Sequence, residues 1–324
     1  MASYKEFHKR SIEDRNGFWG EQAELIHWNK QPEQIYDFSN PPFVKWFKGG
    51  ETNLCYNAVD RHAESNPNGK ALVYISTETD EEKTYSFSEL RTEVMRMAAI
   101  YQSLGVKKGD RVLIYMPMIA EACFAMLACA RIGAIHSVVF GGFASHSLAT
   151  RIDDAKPTVI VSADAGMRGG RPVPYKHLLD EAISLAEHKP AKVLMVNRGL
   201  DKEMVVVEGR DVDYATLRAA NMDANVPVTW LESSEPSYIL YTSGTTGKPK
   251  GVQRDTGGYA VALAASMKHI YCGNAGETFF STSDIGWVVG HSYIIYGPLI
   301  AGMATIMYEG TPLRPDAGIW WKIC

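Results

Sequence analysis

Apolar runs of strand length alternate with amphipathic runs of helix length over residues 71–196, and no other feature constrains the fold of this chain as strongly. Ser86-Phe87-Ser88-Glu89 forms a capping box, a pattern that begins many helices, and it predicts an amphipathic helix to about Leu104. The following runs predict strands over 111–116, 136–140, 157–161 and 192–196, and helices over 119–131, 145–155 (capped by Ser145 or Ser147) and 175–187. Strands that alternate with helices of this length form parallel βαβ units, so we predict an α/β fold with mainly parallel sheets.

Two other regions lie before and after these alternating strands and helices. Residues 1–60 mix aromatic side chains with turn signals such as Asn40-Pro41-Pro42 and Gly49-Gly50, which predicts an extended segment with short helices wrapped on a larger body. Residues 199–232 are polar and strand-poor, and we interpret them as a connection into a second βα unit. That unit would contain a strand over 237–241, a loop and a helix over 258–270, followed by strands over 278–281 and 304–307. The loop would then lie at the carboxyl end of a strand, where ligands bind in open α/β sheets.

The loop itself has a composition that suits a phosphate tail. It reads Tyr241-Thr242-Ser243-Gly244-Thr245-Thr246-Gly247-Lys248-Pro249-Lys250-Gly251. Glycine lets backbone N–H groups approach an anion closely, hydroxyls donate to phosphate oxygens, and lysine supplies positive charge. The spacing is not that of the common P-loop, because Pro249 follows the Gly-Lys pair in place of Ser or Thr. The same residue types also favour turns, so on composition alone an exposed turn is an equal alternative.

Composition and charge exclude several classes of protein. Lys and Arg number 33 against 37 Asp and Glu, a formal charge of −4, which disfavours a nucleic-acid partner. Five scattered cysteines show no C-x-x-C pair, a pattern typical of reduced thiols in the cytoplasm and not of a metal site. The start of the chain lacks the apolar region of a signal peptide. Glu121, Arg131 and His136 interrupt the longest apolar stretch, so we predict no membrane span.

The loop at 241–251 resembles the phosphate-binding signature of the adenylate-forming acyl-CoA synthetases. Three further runs are similar to the acetyl- and propionyl-CoA synthetase branch of that family: Phe140-Gly141-Gly142-Phe143, Arg168-Gly169-Gly170-Arg171, and Ser283-Asp284-Ile285-Gly286-Trp287-Val288-Val289-Gly290-His291-Ser292-Tyr293. Residues 4–56 resemble the cap that short-chain members carry. The resemblance therefore covers essentially the whole chain. It implies a cap over 1–60 and an incomplete AMP-binding large domain over 61–324.

The resemblance also implies a reaction and its substrates. A carboxylic acid reacts with ATP to give an acyl-adenylate, and coenzyme A then displaces AMP. The ATP phosphates would be bound by Thr242, Ser243, Gly244, Thr245, Thr246, Gly247 and Lys248. Mg²⁺ would bridge the phosphates, and we assign it no protein ligand. The substrates implied are small molecules, and nothing in the sequence predicts an oligomeric state.

Two more binding sites follow from the resemblance. Trp287, Val288 and Val289 would form the acyl pocket, with plain core packing as the alternative. Val289 and the run 251–259 look more like the propionyl than the acetyl branch. Coenzyme A would contact Arg168, Gly169, Gly170, Arg171, Phe140, Gly141, Gly142 and Val289, because guanidinium groups bind phosphate bidentately. A solvated loop is the alternative for the arginines. We interpret His291 as a packed, hydrogen-bonded histidine and not as a catalyst.

Members of the family are considerably longer than this chain. We therefore expect the adenine and ribose site, the mobile C-terminal domain and its catalytic lysine to lie beyond Cys324, and we assign no catalytic residue here. Two alternatives stay open at this point. The chain could be a truncated, non-catalytic product that retains weak binding of ATP or coenzyme A, or the N-terminal half of an enzyme that prefers acetate.

Overall fold

The computed structural model describes residues 3–242 and 249–324. Its strands, in chain order, are β1 (Gln34–Asn40), β2 (Phe43–Lys48), β3 (Glu51–Thr52), β4 (Lys70–Ser76), β5 (Glu81–Ser86), β6 (Arg111–Tyr115), β7 (Ile135–Val138), β8 (Val159–Ala163), β9 (Gly166–Arg168), β10 (Arg171–Val173), β11 (Lys192–Val196), β12 (Asp211–Asp213), β13 (Leu231–Glu232), β14 (Pro236–Thr242), β15 (Lys250–Asp255), β16 (Thr278–Phe280) and β17 (Ala304–Glu309).

The helices are α1 (Tyr4–Glu13), α2 (Arg15–Ala23), α3 (Arg61–Ser65), α4 (Phe87–Ser103), α5 (Ala120–Ile132), α6 (Ser145–Ala155), α7 (Tyr175–Leu185), α8 (Tyr214–Ala220), α9 (Gly257–His269), α10 (Val288–Gly290), α11 (Gly297–Ile300) and α12 (Ile319–Ile323). Two π-helical stretches lie at Tyr56–Asp60 and His291–Tyr296. Among the described helices, none combines the length and the apolar character needed to cross a bilayer.

A seven-stranded sheet in the order β12-β11-β8-β6-β7-β14-β15 forms the centre of the molecule. Its strands are parallel except β15, which is antiparallel to β14. Alternate residues of β6 point to opposite faces: Val112 and Ile114 join the core under α4 and α5, whereas Leu113 and Tyr115 join the core under α6 and α7. Both faces are thus covered by helices, as parallel sheets require, and the predicted α/β class is confirmed.

A second sheet has the order β16-β17-β4-β5. β17 is parallel to both β16 and β4, whereas β5 returns antiparallel to β4. The carboxyl end of β17 carries Glu309, whose carboxylate accepts hydrogen bonds from Tyr74 (2.9 Å) and Ser76 (2.8 Å) of β4. The Arg198 guanidinium, just after β11 of the large sheet, contacts the same carboxylate through two bonds of 2.7 Å. This buried ion pair joins the two sheets at their carboxyl ends.

The N-terminal segment shares the main hydrophobic core and does not fold apart from it. Phe47 and Leu54 are buried in the same cluster as α4 and α5. Asn53 Nδ2 donates to the carbonyl oxygens of Ala130 (2.7 Å) and Thr229 (2.8 Å). Short helices and extended strands on a larger body are the organisation that its turn-rich sequence predicted.

Two local helix predictions had different outcomes. The capping box at α4 is confirmed, because Glu89 N donates to Ser86 Oγ (3.2 Å) and Ser86 N donates to Glu89 Oε2 (2.8 Å). The prediction that Ser145 or Ser147 caps α6 is wrong. Ala144 is the N-cap residue and makes no side-chain cap, while Ser145 Oγ donates to Glu181 on α7 (2.7 Å). The Ser145 hydroxyl therefore bonds to a side chain of another helix and does not cap α6.

The second βα unit differs from its prediction. The segment after β14 does not lead directly into a helix. Instead, β14 pairs with β15 as an antiparallel hairpin, and α9 begins only at Gly257. β15 is largely exposed at the edge of the sheet, so its polar sequence lacks the alternation that identifies a half-buried strand. Likewise, the polar stretch read as a connection contains β12 and α8. β14 ends at Thr242, and the predicted loop residues 243–248 lie outside the described residues.

Candidate active site

A cavity of about 700 Å³ lies where the carboxyl ends of the two sheets meet. The large sheet contributes the segments after β6, β7 and β8, and the small sheet contributes those after β16 and β17. The main lining stretches are 117–118, 140–144, 166–168, 281–284 and 308–312. Ligands of open α/β folds bind outside the carboxyl ends of the strands, and this cavity has the volume of a typical small-molecule site.

Aromatic rings form one wall of this cavity. Phe140 and Phe143 contact each other edge to face with centroids 5.8 Å apart, and Trp287 lies 5.5 Å from Phe140. Trp287 remains 48% exposed, so it faces the open space and is not core. Gly286 permits the approach of the two segments, because a Cβ there would lie 2.7 Å from Phe140 Cα. The run at 140–143 and the tryptophan motif are thus brought together.

The arginine hairpin (residues 166–173, β9 and β10) forms another wall. Arg168 and Arg171 are paired across it, with Gly169 (φ +64°) and Gly170 (φ +79°) at the tip. Two successive positive φ angles are typical of a type I′ turn, which L side chains rarely adopt, so the glycines are required for the backbone shape. Arg168 lines the cavity, whereas Gly169, Gly170 and Arg171 lie outside its lining.

Asp284 lines the cavity from the opposite side. Its Oδ1 accepts a hydrogen bond from Gly286 N at 2.7 Å. Burial raises the pKa of the Asp284 carboxyl, while the Gly286 hydrogen bond and the positive charge of Arg168 oppose that rise. The Asp284 carboxyl and the Arg168 guanidinium thus line the same cavity and interact electrostatically.

His291 lies beneath the aromatic wall and has no access to solvent. Its ring stacks 5.3 Å from His136 and lies 4.7 Å from Tyr238, and Nδ1 is 3.1 Å from the carbonyl oxygen of Trp287. Burial lowers the pKa of His291 to about 4. These contacts agree with the interpretation of His291 as a packed, hydrogen-bonded histidine.

The other predicted residues that the structure describes do not line this cavity. Val288 and Val289 begin the short helix α10, are 43% and 46% exposed, and do not line this cavity. Thr242 ends β14 and is exposed. The other residues of the predicted phosphate site, Ser243, Gly244, Thr245, Thr246, Gly247 and Lys248, lie outside the described residues. The acyl-pocket and phosphate assignments therefore stay predictions.

Some residues that line the cavity were not predicted from the sequence. Tyr308, Glu309 and Trp320 line the cavity from β17 and from the segment after it, and Tyr175 does so from α7. No local pattern sets these residues apart in sequence, and only the meeting of the two sheets brings them to the site. Within residues 3–242 and 249–324, no group of three or more His, Cys, Asp or Glu could hold a metal ion.

The chain matches two known protein-family models. Residues 59–324 match the family model described as AMP-binding enzyme, and residues 4–58 match that of the acetyl-coenzyme A synthetase N-terminus. The chain belongs to the AMP-binding enzyme family. The family resemblance drawn from the motifs is thereby confirmed.

Relatives of this AMP-binding enzyme include a propionate–CoA ligase from Salmonella typhimurium, 64% identical over 99% of this chain and 51% of the relative. The mitochondrial acyl-CoA synthetase short-chain family member 3 of Rattus norvegicus is 49% identical over 99% of this chain and 47% of its own length. The structure of acetoacetyl-CoA synthetase from Streptomyces lividans superposes with a TM-score of 0.90 at 27% identity, covering all of this chain and 49% of the other. The chain thus spans about half the length of the relatives it matches.

Proposed function

We propose that this chain supplies the coenzyme A and acyl sites of an AMP-forming ligase that joins a short-chain carboxylic acid, propionate by preference, to coenzyme A. The convergence of Phe140–Gly142, Arg168 and Trp287 on one cavity carries the proposal. The 64% identity to a protein named propionate–CoA ligase supports the choice of acid. Because the chain spans half of that relative, the activity is proposed for a protein of full family length.

The reaction has two steps that this site would serve. A carboxylate oxygen attacks the α-phosphorus of ATP, and pyrophosphate leaves to give acyl-AMP. The coenzyme A sulfur, having lost its proton, then attacks the acyl carbon, and AMP leaves with the bonding electrons. The cavity would hold the pantetheine arm and the acyl carbon against the wall that the Phe140 and Trp287 rings form, while Arg168 would pair with a coenzyme A phosphate at the rim.

The ATP phosphates are proposed to bind at Thr242–Lys248, after β14. Hydroxyl and N–H donors there, with Lys248, would offset charge on the β- and γ-phosphates. Mg²⁺ is held mainly by the substrate phosphates and by few carboxylates. Both carboxylate oxygens of Glu309 already accept bonds from Arg198, so we assign that residue no metal role.

The function is tested by incubating a protein of full family length that contains this chain with ATP, Mg²⁺, propionate and coenzyme A. We expect propionyl-CoA, AMP and pyrophosphate in equal amounts. Formation of ADP and phosphate instead would refute an adenylate-forming mechanism. The 324-residue chain is assayed in parallel, and binding of coenzyme A without turnover would assign it the binding half of the reaction.

Replacing Arg168 by Ala is expected to raise the KM for coenzyme A by at least about tenfold and to leave the KM for ATP unchanged. The reason is loss of one charge-assisted pair with phosphate, which is worth roughly 1.5–3 kcal/mol. Steady-state kinetics with each substrate varied in turn measure the effect. Arg91→Ala, on α4 and outside the cavity lining, is the matched control. An unchanged KM for coenzyme A in Arg168→Ala contradicts the assignment.

Replacing Val289 by Thr is expected to move preference from propionate toward acetate by about tenfold in kcat/KM. One methylene in an apolar pocket is worth roughly 1–3 kcal/mol, and a hydroxyl makes the pocket less apolar. Competition between the two acids measures the ratio, with Val44→Thr, exposed on β2 and outside the cavity lining, as control. Equal efficiency of the unsubstituted enzyme on both acids argues against propionate preference.

The compartment proposed is the cytoplasm. All five cysteines are free thiols, and Cys55, Cys123 and Cys129 are buried, which suits a reducing environment. A relative named as mitochondrial makes the mitochondrial matrix the competing compartment. Fractionation of cells expressing the tagged protein separates the two.

A further inference from the structure

The tip of the arginine hairpin is bound by a carboxylate from the other sheet. Gly169 N donates to Glu78 Oε1 at 2.8 Å, and Gly170 N donates to Glu78 Oε2 at 2.6 Å. Glu78 lies in the turn between β4 and β5 of the small sheet, whereas the hairpin follows β8 of the large sheet. Two consecutive N–H groups aimed at one carboxylate form a charge-assisted, bidentate contact across the boundary between the sheets.

A second contact comes from the segment after β17. Arg314 Nη1 donates to the carbonyl oxygen of Gly169. The guanidinium packs tightly on the tip, because a Cβ on Gly170 would lie 2.8 Å from its nitrogens. Glu78 thus accepts from the two N–H groups of the turn, and Arg314, from a different loop, donates to its carbonyl oxygen.

Both loops are themselves fixed. Ser76 Oγ accepts hydrogen bonds from Glu78 N (3.3 Å) and Thr79 N (3.1 Å) and donates to Glu309. The Tyr308 hydroxyl donates to the carbonyl oxygens of Thr311 (3.3 Å) and Arg314 (3.4 Å). Glu78 and Arg314 are therefore held in place by groups at the carboxyl ends of β4 and β17, beside the cavity.

The contacts with the hairpin use only its main chain. They fix the tip without using the side chain of Arg168, which lines the cavity. The tip glycines can adopt many backbone conformations, so an unbound tip would place Arg168 loosely. A phosphate-binding arginine is effective only when its position is set before the ligand arrives.

We propose that Glu78 and Arg314 are positioning residues that hold the arginine hairpin across the cavity and so set Arg168 for a phosphate of coenzyme A. The proposal rests on the proposed function of the hairpin as a coenzyme A site. Glu78 acts through the backbone of the hairpin and does not touch the ligand.

The test compares the 324-residue chain with its Glu78→Gln and Arg314→Met variants. An amide can accept from only one of the two N–H groups and turns its own donor toward the other. We expect hydrogen exchange at Gly169 and Gly170 to accelerate at least about tenfold in Glu78→Gln. Glu82→Gln, which removes the same charge from an exposed position on β5, should change nothing.

Ligand titrations supply the second readout. Affinity for coenzyme A should fall about five- to tenfold in both variants, whereas affinity for dephospho-coenzyme A, which lacks the 3′-phosphate, should fall less. Unchanged exchange at the tip overturns the proposal, and so does tighter coenzyme A binding by Glu78→Gln, which would make Glu78 a competitor of the phosphate. If the unsubstituted chain binds neither compound, the proposed function fails, and the exchange measurement still tests the hairpin contact separately.

Discussion

Replacing Arg131 by Met is expected to lower the free energy of unfolding by about 3–5 kcal/mol. Arg131 on α5 and Asp60 are both buried, and Nη1 lies 2.9 and 2.8 Å from the two carboxylate oxygens. Nε of the same side chain donates to the carbonyl oxygen of Val226. The substitution would leave the Asp60 charge buried without its cation and that carbonyl without its donor. Urea unfolding followed by tryptophan fluorescence measures the change.

Two controls identify the cause of that loss. The double variant Asp60→Asn with Arg131→Met should recover most of the stability, because the unpaired charge is then absent. The exposed pair of Arg10 and Glu21 has equally close atoms, so Glu21→Gln should leave the unfolding midpoint unchanged. A loss in Glu21→Gln equal to that in Arg131→Met would show that burial of the ion pair is not the reason.

Acid is expected to destabilise this fold in a window set by the buried His136 and His291 and the partly buried His62. Burial, reinforced by the charge of Arg61, lowers the pKa of His62 to about 4, and burial lowers that of His291 to about 4. Burial and the neighbouring His291 lower the pKa of His136 below its usual range. An unfolded histidine titrates near 6.5. Between these values the unfolded chain binds more protons than the folded one, so stability rises with pH.

Because stability falls as the pH is lowered, the experiment compares the pH dependence of unfolding free energy between variants. The contributions of His62 and His291 are fully present above about pH 6.5 and are lost as pH falls toward 4, by about 3 kcal/mol for His291. Because burial raises the pKa of Asp284, that group acts in the opposite direction, so differences between variants are more informative than absolute values. His291→Gln should flatten the dependence of unfolding free energy on pH by that amount. His177→Gln, exposed on α7, should leave the profile unchanged, and an equally steep profile in His291→Gln would falsify the assignment.

The parallel strands were predictable because burial on both faces leaves a local mark in the sequence. β11 has the predicted bounds, and β8 differs from its prediction by two residues at each end, since both are continuous apolar runs. β15 was missed because an exposed edge strand has neither alternation nor an apolar run. The serine cap on α6 failed for a different reason: local propensity offered a partner, and the tertiary structure supplied Glu181 instead.

The candidate site likewise contains residues that could be predicted from the sequence and residues that could not. Phe140 and Arg168 could be expected to meet, because they follow β7 and β8, two strands of the large sheet whose carboxyl ends face the same side. Trp287 follows β16 of the small sheet, so its place beside Phe140 depends on how the two sheets meet. Glu78, Arg314 and the pair of Arg198 with Glu309 could not be predicted either, since their roles depend on how the two sheets are placed against each other. No single-strand pattern contains that information.

The pairing of β17 with β4 has a consequence for how the chain is made. β4 lies near the beginning of the sequence and its parallel partner lies near residue 309, so their contacts are among the most distant in the chain. A ribosome releases β4 long before β17 exists, so the edge of β4 that pairs with β17 lacks its partner strand during synthesis. Topologies of this kind fold slowly, because a long loop must close before the contact is gained. Yield in a heterologous host should therefore depend on chaperones that shield nascent chains, and slower synthesis would prolong the exposure.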